Sequence, residues 1–202
     1  LLKNHIIHLR QGAAVAVFLI GWFGVSEKRR VLALLTASLI HSSFFFVTVL
    51  WFASRLMLRF RLASDLRGVL FACMGVGVGT GLGAIVALLG ARQAWEYQFS
   101  MANISGLGFL FWLCILVVMI FEGRTFAREH AFEIGVVVFY LATYFFIEVT
   151  ARIFESAMIP VLFSGLALNG WRRLFFLFMI CLLFLLQYIM RFGQPCLGFC
   201  PI

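Results

Sequence analysis

Residues 31–54 read VLALLTASLIHSSFFFVTVLWFAS, and the way this stretch folds decides the architecture of the chain. It is long enough for one ordinary membrane crossing, because about 20 apolar residues span a bilayer. In its middle, however, lies the polar trio His41-Ser42-Ser43. Basic clusters flank it on both sides: Lys28, Arg29 and Arg30 before, Arg55, Arg59, Arg61 and Arg67 after. A single crossing puts these clusters on opposite sides. Two half-helices broken at His41 bring them to the same side. In the second layout one side collects Lys28, Arg29, Arg30, Arg55, Arg59, Arg61, Arg67, Arg124, Arg128, Arg172 and Arg173. The other keeps only Lys3, Arg10, Arg92, Arg152 and Arg191. Loop cations gather on the cytoplasmic side of membrane proteins, so the asymmetry favours the broken pair. Non-helical backbone at membrane depth is tolerated only where it lines a cavity or is buried in protein. The reading therefore predicts His41 at the bottom of a cavity that opens away from the basic side.

Composition extends this reading to the whole chain. Of 202 residues, 64% are hydrophobic and 12% charged, and mean hydropathy is +1.07. An ordinary soluble domain is about 45–50% apolar and about 25% charged. The apolar residues run continuously instead of alternating in short strands, which argues against a transmembrane β-barrel. The expected fold is an all-α, polytopic transmembrane helical bundle. It forms one domain over 1–202, with about six full spans plus a broken or re-entrant pair around His41. Helices are predicted over about 10–25, 68–90, 106–122, 132–150 and 174–191, with a shorter segment over about 151–170. The first residue is Leu, and no leader pattern follows it, so a longer protein is expected upstream. The net charge of +8 is read as loop anchoring, with no nucleic acid as partner. Cys73, Cys114 and Cys181 lie in apolar runs and read as small core residues. Cys196 and Cys200 lie in a Gly/Pro tail and pair only if that tail faces an oxidising space.

The side with few cations carries the candidate chemistry. Arg152 lies within apolar sequence, IEVTARIFESAMIP, where an arginine is expensive and usually pairs or serves a site. Its planar fork suits phosphate; alternatively, Glu148 and Glu155 neutralise it on one helix face. Arg10 is a second phosphate candidate or an interfacial anchor. Gln11 and Gly12 follow it, and the first turn of a helix beginning there would offer backbone N–H groups to an anion. His41 is a candidate general base, or else a residue that caps the second half-helix together with Ser42 and Ser43. In the polar loop 91–105, Trp95 and Tyr97 either stack on a sugar or form an interfacial aromatic belt. Glycines at 75, 77, 79, 81 and 83 read as a close helix-packing surface. His5 and His8 have no neighbouring carboxylate or Cys and read as interfacial. No Asp-rich motif is present to hold Mg²⁺, so neither a metal nor another cofactor is expected.

The first sixty residues also carry a family resemblance. His8-Leu9-Arg10-Gln11-Gly12-Ala13-Ala14-Val15-Ala16 resembles the IRQGLA signature of EpsG-type, Wzy-like polysaccharide polymerases. As in that family, a basic turn follows (Glu27 to Arg30), and then an apolar segment containing H-S (His41-Ser42). Ala151-Arg152-Ile153-Phe154 is similar to a later R-hydrophobic-aromatic position. Members of the family are typically longer and have several spans before RQG. The resemblance implies an enzyme of the bacterial cytoplasmic (inner) membrane, multi-pass. It would join undecaprenyl-diphosphate-linked oligosaccharide repeats into exopolysaccharide or O-antigen on the outer face. Its catalytic residues would be His41 as base, with Arg10 and Arg152 stabilising the diphosphate. Gln11, Gly12, Ser42, Trp95, Tyr97, Glu148 and Glu155 would bind substrate. Membrane lipid and a chain-length regulator or other assembly protein are the implied partners. Competing functions are an outer-leaflet ligase, a flippase or non-catalytic membrane subunit, and an acyltransferase.

Overall fold

A computed structural model describes residues 2–24, 26–88, 106–145 and 149–192. Trp95, Tyr97, Glu148, Cys196 and Cys200 lie outside the described residues. The helices are α1 (Leu2–Trp22), α2 (Glu27–Ile40), α3 (Ser43–Arg59), α4 (Ser64–Leu88), α5 (Gly106–Phe121), α6 (Arg124–Glu129), α7 (Ala131–Thr143), α8 (Val149–Leu166) and α9 (Gly170–Arg191). The expected all-helical class holds for the described residues.

The break in residues 31–54 is a sharp reversal. His41 adopts extended backbone as the C-cap of α2, and Ser42 is the N-cap of α3. The two helices then run antiparallel. Ser38 Oγ lies 2.9 Å from Thr48 Oγ1, and Thr48 also donates to the Leu34 carbonyl at 3.3 Å. At the far end Arg55 pairs with Glu27. The two basic clusters therefore share one end of the bundle.

α1 packs antiparallel on α2. Contact is close because Gly21 has no side chain; a Cβ there would collide with Ala33. Phe18, at the same interface, is fully buried and meets the Phe44 ring at 5.4 Å. α4 runs parallel to α7. Phe71 lies over Gly135, where any Cβ would strike its ring, and Gly75 lies level with Phe139 and Ala142. Gly75 and Gly79, four residues apart, are buried, whereas Gly77 and Gly81 meet nothing nearby. The packing surface expected of the glycines is therefore formed by one face of α4.

α7 and α8 form another antiparallel pair, with Tyr140 stacked on Phe154 at 4.2 Å and Trp112 of α5 against the same ring at 4.5 Å. Glu122, after α5, accepts from the Asn169 side chain at 2.7 Å and from Arg172 Nε at 2.6 Å, which ties the start of α9 to α5. Burial alone would raise the Glu122 pKa; the hydrogen bonds from Asn169 and the pairing with Arg172 outweigh it and hold the carboxyl below its usual range. One hydrophobic core runs from Ala14 to Phe176 through Phe18, Leu34, Phe44, Leu50, Phe71, Ile115, Met119 and Ile153. Each fully buried Phe or Leu contributes about 1.5–3 kcal/mol.

The transmembrane architecture is corrected by the length and apolarity of the helices taken together. Among the described residues no helix is long and apolar enough to cross a membrane. The six full spans and the multi-pass placement in the bacterial cytoplasmic membrane therefore do not stand. α2, α3, α5 and α7 have 14, 17, 16 and 13 residues, fewer than the about 20 a bilayer needs. α4 opens with the polar turn Ser64-Asp65-Leu66-Arg67, and α8 carries Arg152 and Glu155. The expected helix ends near Gly24, His41 and Gly123 are where the chain turns; the stretch 132–150, which reads as one helix, breaks at Tyr144. The cysteines are corrected as well: Cys73, Cys114 and Cys181 are free and exposed.

Candidate functional site

The reversal at His41 places an imidazole where two helix pairs meet. α3 contacts both α2 and α8, so the start of α3 faces the first turns of α8. Ser43 is buried at 6% exposure and Ser156 at 2%. Their hydroxyl oxygens are 2.7 Å apart. His41 Nδ1 lies 2.6 Å from Ser43 Oγ and 3.3 Å from the Ser43 amide nitrogen. Ser156 Oγ lies 2.9 Å from the Arg152 carbonyl oxygen and donates to it. His41, Ser43, Ser156 and the backbone of Arg152 thus form one continuous chain of hydrogen bonds.

Each serine has a single hydroxyl proton, so the chain has two self-consistent senses. In one, Nδ1–H donates to Ser43, Ser43 to Ser156, and Ser156 to the Arg152 carbonyl; this leaves the Nε2 lone pair free as a base. In the other, the Ser43 amide and hydroxyl both donate to Nδ1, Ser156 donates to Ser43 in place of the Arg152 carbonyl, and Nε2 carries the proton and is a donor. Both senses keep Nδ1 occupied. Burial lowers the His41 pKa below 6.5, and the positive charge of Arg152 lowers it further. The neutral imidazole is therefore the resting form.

Arg152 is exposed and makes no ion pair among the described residues. Glu155 is exposed too, and it does not bridge to Arg152. Its charge acts instead on Tyr140, whose pKa is pushed up to about 12 by burial first, then by Tyr144 and Glu155. Among the described residues Arg152 is therefore not neutralised by Glu155; Glu148, the other carboxylate expected on that face, lies outside them.

Arg10, Gln11 and Gly12 require a correction. α1 begins at Leu2, so this trio lies in the third turn of the helix. Its backbone N–H groups point back to carbonyls one turn earlier and are not offered to an anion. The Arg10 side chain remains a candidate. It is exposed and has no hydrogen bond or ion pair among the described residues. From the level where Gly21 meets Ala33, Arg10 lies about 16 Å along α1 and His41 about 12 Å along α2, at ~1.5 Å per residue. Arg10 and His41 thus lie at the same end of the antiparallel pair, within about one turn in height. Gln11 is half-buried, Gly12 is open, and Ser42 is exposed beside His41.

Sequence reading missed Ser156. The available signal was its position four residues after Arg152 on one helix face, in an otherwise apolar run. In the sequence Ser43 reads only as part of a helix cap. In the structure His41 Nδ1 accepts from the Ser43 amide, Ser42 makes no side-chain cap hydrogen bond, and neither accounts for the onward bond from Ser43 to Ser156. No family model matches the chain, and neither a curated protein nor a solved structure does.

Proposed function

We propose that the chain transfers a glycan from a lipid diphosphate carrier to a sugar hydroxyl, the step that lengthens an exopolysaccharide or O-antigen. The observation that carries this reading is an exposed Arg152, unpaired among the described residues, acting on a neutral His41 that is held by the buried Ser43, itself bonded to the buried Ser156. The Arg10-Gln11-Gly12 and His41-Ser42 resemblance to Wzy-like polymerases supplies the substrate class, an undecaprenyl-diphosphate-linked oligosaccharide.

In this reaction the acceptor oxygen attacks the anomeric carbon. The bond from that carbon to the diphosphate oxygen breaks, and its electron pair leaves with the diphosphate. The acceptor's proton passes to Nε2 of His41. The imidazolium that forms donates its Nδ1–H hydrogen bond to Ser43, whose hydroxyl in turn donates to Ser156, so the new charge is stabilised by aligned dipoles with no further proton transfer. Arg152, with Arg10 from the same end, meets the charge that develops on the leaving group. A diphosphate is already a good leaving group, so the protein's main tasks are alignment, proton removal and charge stabilisation.

The test is polymer length in cells producing His41→Gln or Arg152→Gln, with protein level matched. A lost general base costs about 10²–10⁴-fold and a lost oxyanion donor about 10²–10³-fold. Both variants are therefore expected to leave only single repeats or very short chains. Full-length polymer from both, at equal protein level, rejects the assignment.

A further inference from the structure

The end of the bundle away from His41 holds a second cluster of arginines, arranged around a cavity of about 510 Å³. Arg61, Arg67, Arg124 and Arg128 line it, with Asp65 as the single carboxylate. Asp65 accepts from Ser64 at 3.0 Å and bridges to none of these arginines. Three of the four are exposed arms; Arg67 is buried, at 6% exposure. One of its nitrogens, Nη2, donates to the Ala127 carbonyl at 3.0 Å. The other two, Nε and Nη1, are buried with no partner. Burial and the nearby charge of Arg128 both work against the Arg67 cation. A guanidinium does not lose its proton in a protein, so this charge stands buried, two-thirds unsatisfied and crowded by a like charge. Leaving such a group unpaired is strongly unfavourable. An anion bound among the four arms removes the deficit.

A second hollow, of about 370 Å³, adjoins the first and shares Ser64, Asp65 and Arg67 with it. Beyond Arg67 its walls are apolar: Phe71, Ile120, Ile134, Gly135 and Val138, between α4, α5 and α7. A cationic chamber thus opens onto an apolar groove, with the buried arginine at their junction.

We propose that this end of the protein binds an amphiphile with a phosphate head and an apolar tail. The phosphate sits among Arg61, Arg67, Arg124 and Arg128, and the tail lies along the groove between α4 and α7. Three anionic oxygens match the forked donors of several arginines better than one carboxylate does. Charge complementarity selects the head, and the groove selects against a free ion. The site is separate from the His41 cluster, and the inference does not depend on the activity assigned there.

Binding of dodecyl phosphate below its micelle concentration is measured by calorimetry on the full chain. Inorganic phosphate and dodecyl maltoside serve as the comparison probes. Dodecyl phosphate is expected to bind at least ten-fold more tightly than either. Arg124→Gln with Arg128→Gln, both at exposed positions, is expected to weaken it ten-fold or more. Ala131→Phe, which fills the groove, is expected to weaken dodecyl phosphate and leave inorganic phosphate unchanged. Arg67→Met removes the strained charge, so it is expected to lose binding while its melting temperature stays level or rises. Equal binding of dodecyl phosphate and dodecyl maltoside overturns the proposal, as does undiminished binding by the double arginine variant. Inorganic phosphate binding as tightly as dodecyl phosphate overturns the part played by the groove.

Discussion

At the scale of single residues, the proposed chemistry rests on the protonation of His41. Its pKa lies below 6.5 in the folded protein, because burial and then Arg152 disfavour the cation. The unfolded chain therefore binds the His41 proton more readily than the folded one. The stability this group contributes is complete above about pH 6.5 and is lost as pH falls from there through the folded value. For activity, the acidic limb of the rate profile is expected to lie below pH 6.5. Arg152→Gln is expected to move the His41 titration up toward 6.5 without reaching it, since burial remains. Following the His41 ring signals by NMR against pH checks both statements; a midpoint at or above 6.5 in the parent protein contradicts them. The nitrogen shifts of the same ring decide which sense the serine chain adopts. In the sequence, His41 and Arg152 could be picked out as polar residues in apolar surroundings. Ser156 could not, because only folding brings α8 against the start of α3.

At the scale of helices, close approach sets the architecture. Gly135 lies under the Phe71 ring, and Gly21 lies against Ala33. Gly135→Val is expected to destabilise the protein by about 1–3 kcal/mol, the usual result of overfilling a packed contact. Denaturant unfolding followed by circular dichroism measures it, and an unchanged midpoint contradicts the parallel packing of α4 on α7. The turn from α3 to α4 is built differently. Leu62 N–H reaches the Met57 carbonyl at 3.1 Å and Arg61 N–H the Leu58 carbonyl at 3.0 Å, with Arg61 at φ +53°. This is a Schellman closure with arginine where glycine is usual, at roughly 1–2 kcal/mol. The expected helix positions over 68–90, 106–122 and 174–191 lie close to α4, α5 and α9, because their flanking polar turns are plain in the sequence. Helix lengths were less legible. The stretch 132–150 reads as one apolar run, yet α7 ends at Thr143.

At the scale of the molecule, charge divides the bundle. Arg55 with Glu27, Arg67 with the Ala127 carbonyl, Arg172 with Glu122, and Arg30 over the Trp22 ring all lie at one end. His41 and Arg152 lie at the other, with Arg10 at that level. This polarity was readable, because the broken pair at His41 follows from where the basic clusters fall. The membrane spans were not, since composition reports how apolar a chain is and not how often its helices turn back. In the proposed function, the end with few cations performs glycan transfer through His41 and Arg152. Its most direct test is the rate at which the purified full chain elongates a purified lipid-diphosphate-linked repeat, measured for the parent and for His41→Gln. A fall of about 10²-fold or more, with the melting temperature unchanged, is the predicted result. Equal rates for the two proteins, or no elongation by the parent, would contradict it.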